Sequence, residues 1–205
     1  NNMQVLNTGT NSNLLNINCS NNNLTALDLS GNLNMEIISC DQNQLTFLDV
    51  SQHINLISLR ACCNLLTNIN VYNNINLVDL SVFSNPINTI DVTQNIQLNW
   101  FECGGNFLLN TLDLSQNPLL EVLAITNTQI NNLDLSNNLN LTTFHCGNSL
   151  FTEINLNSFS NLTYLALLNN SQLTSLYIKN NSEETTIDLI DNPLLNYICA
   201  DDFQI

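Results

Sequence analysis

The chain has 205 residues, with 17 acidic side chains against two basic ones and a formal net charge of −15 at neutral pH. That charge repels phosphate backbones and anionic lipid, and Arg60 and Lys179 are too few and too far apart to form a basic patch. Nucleic acid is therefore excluded as a partner, and the absence of any run of about 18 apolar residues excludes a helical membrane span.

Asn1 to Thr10 has neither the basic nor the apolar region of a signal peptide, so export has to be argued from other features. From Leu14 onward a unit recurs. Leu27, Asp28, Leu29 returns as Leu48, Asp49, Val50, then as Ile69, Asn70, Val71 and Ile90, Asp91, Val92, each step being 21 residues. After one added residue it continues as Leu112, Asp113, Leu114, then Leu133, Asp134, Leu135 and Ile154, Asn155, Leu156. Leu176, Tyr177, Ile178 follows, one residue late again. A fixed period of this length marks a solenoid, in which stacked coils each contact only their neighbours. No composition break interrupts it, so a single domain over 1–205 is expected. About 1–13 forms an N-terminal edge, 14–181 the regular coils and 182–205 a C-terminal coil and cap.

Each coil has two halves. The first carries apolar residues two apart, as in Ile17 and Cys19, Ile38 and Cys40, Leu59 and Ala61, Leu80 and Val82, Phe101 and Cys103, and onward to Leu165 and Leu167. Alternation over so short a run predicts a β-strand with one face buried. The second half holds the Leu, Asp, Leu triplets and reads as another short strand. The fold class expected is a repeat solenoid, mainly β, with a parallel sheet on one face and short strands or turns on the other.

Asn fills about a fifth of the positions, and much of it falls in two columns. One runs Asn22, Asn43, Asn64, Asn85, Asn106, Thr128, Ser149, Asn170. The other runs Asn32, His53, Asn74, Asn95, Asn117, Asn138, Phe159, Asn181, Asn192. At each bend the backbone leaves its ladder, and an unpaired buried group costs roughly 1–3 kcal/mol, which an inward amide removes. Stacked amides are expected to bond to one another as well, with His53 a tolerated substitute. Cys19, Cys40, Cys103 and Cys146 share an inward position with small apolar residues and predict a ladder of buried thiols. Adjacent Cys62 and Cys63 are expected to face opposite ways on a strand, and no spacing suits zinc. Asp28, Asp49, Asp91, Asp113, Asp134 and Asp188 form an outward column. It reads as solvated carboxylates held by the Ser or Thr two residues on, with weak calcium sites as the alternative. No cofactor is otherwise implied.

Aligned on these halves, the unit reads LxxLxCxxNxLTxLDLSxNxx, which resembles the 21-residue class of leucine-rich repeat with a cysteine in its strand. Cysteine-ladder internalins and secreted leucine-rich repeat proteins of Bacteroidetes-type bacteria are similar to it over about Leu14 to Asp202. The resemblance implies a right-handed solenoid used extracellularly, secreted or at the cell surface, for adhesion or protein recognition. Leu195 to Asp202 resembles the last coil of such secreted proteins. Departures from the pattern are the missing Cys-rich N-terminal cap and a half-step of 11 at Ile187 to Leu189, with Glu183 to Thr186 read as a loop.

Inward positions are fixed by packing, so recognition is sought on the outward ones. Read across the coils, these gather Phe83, Trp100, Val122, Tyr164 and Leu168, with Asp79, Glu102 and His145 among them. Exposed aromatic clusters with a polar rim are where binding energy concentrates. The expected function is adhesion or recognition of a protein partner by a monomer, with a carbohydrate-binding module or a structural spacer as alternatives. An enzyme is not expected, because the only histidines, His53 and His145, lie more than four coils apart and no catalytic motif occurs.

Overall fold

The computed structural model describes residues 1–202; residues 203–205, the end of the expected C-terminal coil, lie outside the described residues. Among the described residues there are twelve short strands and no helix. In chain order they are β1 (Asn16–Asn18), β2 (Ile37–Ser39), β3 (Ser58–Arg60), β4 (Asp79–Ser81), β5 (Trp100–Glu102), β6 (Val122–Ala124), β7 (Thr143–His145), β8 (Glu153–Asn155), β9 (Tyr164–Ala166), β10 (Ser175–Ile178), β11 (Thr186–Asp188) and β12 (Tyr197–Ala200). Nine stack into one parallel sheet in the order β1-β2-β3-β4-β5-β6-β7-β9-β11, and β12-β10-β8 form a second.

Register follows the sequence period. Ile38, Leu59, Leu80, Phe101, Leu123, Phe144 and Leu165 stand in file across the main sheet. One coil shows how the core is filled: Leu45, Leu48, Val50, Leu56, Leu59 and Ala61 are each at most 3% exposed. Burying a Leu of this kind contributes about 1.5–3 kcal/mol, so the repeat is stabilised coil by coil rather than from one centre. Residues 1–13 already belong to this stack. Met3 and Leu6 pack on the core, and Asn7 bridges Asp28.

After each main strand the chain turns through a left-handed residue: Asn21, Gln42, Cys63, Ser84, Gly105, Asn127, Asn148, Asn169 and Asp191 all have positive φ. Such a conformation costs a side-chain-bearing residue roughly 1–2 kcal/mol. The next residue offsets it. Asn43 Nδ2 donates to the carbonyls of Cys19, Cys40 and Asp41 at 3.0, 3.0 and 3.2 Å, and its Oδ1 accepts the Leu24 N–H at 3.0 Å. Asn64, Asn85 and Asn106 repeat the arrangement. In the second column Asn74 Nδ2 donates to Val50 O and His53 O, and Asn95, Asn117 and Asn138 do likewise. His53 Nε2 lies 3.3 Å from Leu29 O, taking the bond an amide would make. The expected amide-to-amide bonds do not form: among the described residues both columns bond to backbone, because each bend presents carbonyls to them first.

Five further expectations are corrected. Among the described residues the second half-coil pairs as strand only in β8, β10 and β12. Elsewhere the carbonyl that would join a ladder, such as Val50 O, is held by the next coil's amide, while Asp49 Oδ1 takes the Ser51 N–H at 2.9 Å. Asp188 leaves the outward Asp column, since β11 pairs with β9 in the main sheet; the half-step of 11 is a crossing from one face to the other. For the same reason Asn192 belongs to the first column, donating to Leu167 O and Leu189 O, while Asn181 is an exposed left-handed residue. Cys63 sits in the turn after β3 rather than on a strand, and only residues 183–185 of the expected loop lie outside strand, Thr186 opening β11.

Candidate functional site

The outward face of the main sheet carries three rows set by strand register. Asp79, Trp100, Val122, Thr143 and Tyr164 form the first, and Ser81, Glu102, Ala124, His145 and Ala166 the second. The third follows each strand with Asp41, Cys62, Phe83, Gly104, Thr126, Gly147 and Leu168. Its two glycines matter sterically. A Cβ at Gly104 would fall 2.6 Å from Thr126 O and 2.9 Å from the Phe83 ring, and one at Gly147 2.8 Å from Leu168 O, so the absent side chains let the next coil's backbone approach and leave room for the Phe83 ring over Gly104.

Polar contacts converge around β3 and β4. Arg60 Nε donates to Asp79 Oδ2 at 2.8 Å, and the Ser58 hydroxyl reaches the same oxygen at 2.9 Å. Ser81 Oγ donates to Glu102 Oε2 at 2.9 Å, and the Cys62 N–H donates to Asp41 Oδ1 at 2.7 Å. Three carboxylates thus share the field of one guanidinium, which bonds directly to Asp79. Asp41 is held above the usual carboxylate range, mainly by burial, with Asp79 and Glu102 adding repulsion that the Cys62 N–H and Arg60 only partly oppose. His145 stacks on Tyr164 with ring centroids 4.9 Å apart, and burial pushes its imidazole below its ordinary value despite nearby Glu102. Cys62 is pushed up to about 12, by burial first and then by Cys63.

Of the residues singled out by sequence, Phe83, Glu102 and His145 line one open concavity of about 520 Å³ together with Asp41, Arg60, Cys62 and Thr126. Trp100, Val122 and Tyr164 form the adjacent row, joined to it through the His145–Tyr164 stack. Trp100 is 38% exposed, whereas Leu168 is half-buried beside Gly147 and outside the concavity. Asp41, Arg60 and Cys62 were missed. The signal was available: Arg60 is the chain's one arginine, and its outward position adjoins those of Asp41 and Asp79.

The opposite face holds Asp28, Asp49, Asp91, Asp113 and Asp134, each accepting the backbone N–H of the Ser or Thr two residues on at 2.9 Å. The hydroxyls of the same residues assist, as Thr93 Oγ1 does by donating to Asp91 Oδ1 at 2.7 Å, and hydroxyl and backbone bonds together hold all five carboxyls below their ordinary value. Among the described residues no three His, Cys, Asp or Glu are grouped to hold a metal ion, and no helix is long and apolar enough to cross a membrane.

No protein-family model matches the chain, and neither does any curated protein. Solved structures do. The functional domain of InlJ from Listeria monocytogenes, which includes a cysteine ladder, is 30% identical, with a TM-score of 0.74 over 93% of this chain and 49% of that one. A leucine-rich repeat protein of Leptospira interrogans is 18% identical, with a TM-score of 0.63 over 92% of this chain and 50% of that one. The leucine-rich repeat domain of APL1B is 19% identical, again at 0.63, covering 90% and 53%. The last two show the fold alone, and the chain spans about half the length of each of the three. Its 21-residue period, its parallel solenoid and its column of strand cysteines make the chain a leucine-rich repeat protein, similar to the cysteine-ladder internalin.

Proposed function

We propose that the chain is an extracellular or cell-surface recognition module that binds a protein partner through the outward face of its main sheet. Solenoids of this kind offer extended binding surfaces and no shared ligand, so the family supports recognition in general and the site must supply the rest. One observation carries it: aromatic, acidic and basic side chains from β3 to β9 meet on this one face, with Phe83, Arg60, Glu102 and His145 around a common concavity and Trp100 and Tyr164 beside it. Large rigid rings with a charged border are the composition of an interface centre. Catalysis has no comparable support, because His53 is buried in the opposite bends and His145 is committed to Tyr164.

A photo-crosslinking amino acid placed at position 164 tests the assignment, with the same group at position 72 as control; Tyr72 is 54% exposed and away from the main sheet. A protein captured from 164 and not from 72, and released by Trp100→Ala, is the expected result. Equal capture from both positions, or glycan-array binding with no protein captured, would set protein recognition by this face aside.

A further inference from the structure

The concavity on the main sheet carries an excess of negative charge that its own cation does not balance. Asp41, Asp79 and Glu102 all lie within electrostatic reach of Arg60, which bonds directly to Asp79. Glu102 is left with the Ser81 hydroxyl and Asp41 with the Cys62 N–H, both neutral donors. Nearby His145 does not supply the missing charge, since burial and its stack on Tyr164 favour the neutral ring. Beside the carboxylates the same concavity has apolar lining in Phe83 and Ala124, with the Phe83 ring lying over Gly104. An aliphatic stem ending in a cation matches both parts: the stem lies on Phe83, whose ring face attracts the charge, and the head replaces water between Glu102 and Asp41.

Resting on the reading of this face as a protein-recognition surface, we infer that its concavity between Asp41 and His145 seats an arginine or lysine side chain from a basic segment of the partner protein. Charge complementarity selects this occupant. The chain has 17 acidic residues and two basic ones, so its long-range field gathers basic partners, while an acidic segment would meet Asp41 and Glu102 in the concavity. Local geometry then decides where the cation stops.

The probe is a fluorescein-labelled peptide of alternating glycine and arginine, compared with its citrulline counterpart, which has the same shape and no charge. Because a strongly acidic protein attracts such a peptide anywhere, two double variants are compared. Asp41→Asn with Glu102→Gln removes two charges from the concavity while keeping the acceptors for Cys62 and Ser81. Asp91→Asn with Asp113→Asn removes two from the opposite face. The expected result is no citrulline binding, a roughly tenfold weaker Kd for the first double variant and a change under about twofold for the second. Equal losses in both variants, or equal binding of the citrulline peptide, would overturn the inference as mere net-charge attraction. Should the first double variant fail to fold, Glu102→Gln alone carries the same comparison against Asp113→Asn. A protein crosslinked from position 164 but still held by the Asp41→Asn, Glu102→Gln variant also overturns the basic-segment inference, and it leaves the recognition face itself standing.

Discussion

Asn43 holds Leu24 across a coil boundary, its Oδ1 accepting the Leu24 N–H at 3.0 Å while its amide nitrogen ties together three carbonyls of two coils. One side chain therefore closes its own bend and fixes the height of its neighbour. Asn64 does the same for Leu45, Cys40, Ala61 and Cys62. Asn64→Ala strands buried backbone groups in two coils, and about 2–4 kcal/mol of stability is expected to be lost in urea unfolding. Asn76→Ala is the control. Its exposed amide holds only Ile54 O, so a loss within about 0.5 kcal/mol is expected, and equal losses would show the columns to be decoration.

The sequence period was sufficient to line up the outward rows residue by residue, because an inward side chain at every second position leaves no freedom of register. Trp100 opposite Val122 and Glu102 opposite Ala124 were therefore legible. Pairing within the second half-coil was not. Alternation at Leu48 and Val50 describes burial, and burial is satisfied whether Val50 O bonds a strand or the amide of Asn74. Asp188 and Asn192 were misplaced because the tripeptide Ile187, Asp188, Leu189 copies the second-half motif while occupying the first. What tells the two apart is the turn that follows, with left-handed Asp191 and then Asn192, and that signal lies outside the motif. The concavity was half legible: its rings stood out by size, whereas Asp41 and Arg60 are joined only through the reach of their side chains across coils.

The buried thiols make stability depend on alkaline pH. Burial raises Cys40 and Cys103 far above the ordinary thiol value of 9.0, and raises Cys146 to about 12. The folded chain therefore keeps protons that the unfolded chain releases, so stability is complete below pH 9 and falls as pH rises toward 12. Each thiol contributes a slope of up to about 1.4 kcal/mol per pH unit in that window. Urea midpoints measured between pH 8 and pH 10.5 should decline, and Cys103→Ala should flatten the decline while lowering the midpoint at pH 8. A curve as steep in the variant as in the parent would count against buried protonated thiols.

Calcium has little to hold on the outer Asp row. Asp91 and Asp113 each commit one carboxylate oxygen to a turn of their own, and among the described residues no third acidic, His or Cys side chain joins them. The hydrogen bonds from Thr93 and from Ser115 hold these carboxyls below the usual carboxylate range. An unchanged melting temperature in EGTA is expected, and a rise of several degrees with millimolar calcium would revive a metal role for this face.

Asp41 works in the opposite direction. Its carboxyl is raised above 3.8, mainly by burial, so the group favours the folded state only while protonated. Its contribution is complete below about pH 3.8 and is lost as pH rises through the raised folded value, leaving an ionised Asp41 as a net cost to folding at pH 7. Asp41→Asn keeps an oxygen for the Cys62 N–H and removes the buried charge. The variant should melt above the parent at pH 7, with the gain vanishing near pH 3, while it binds the arginine peptide more weakly. That pairing of higher stability with lower affinity is the mark of a charge retained for a ligand. A variant that melts below the parent at pH 7 would show that Asp41 is instead a structural partner of Arg60.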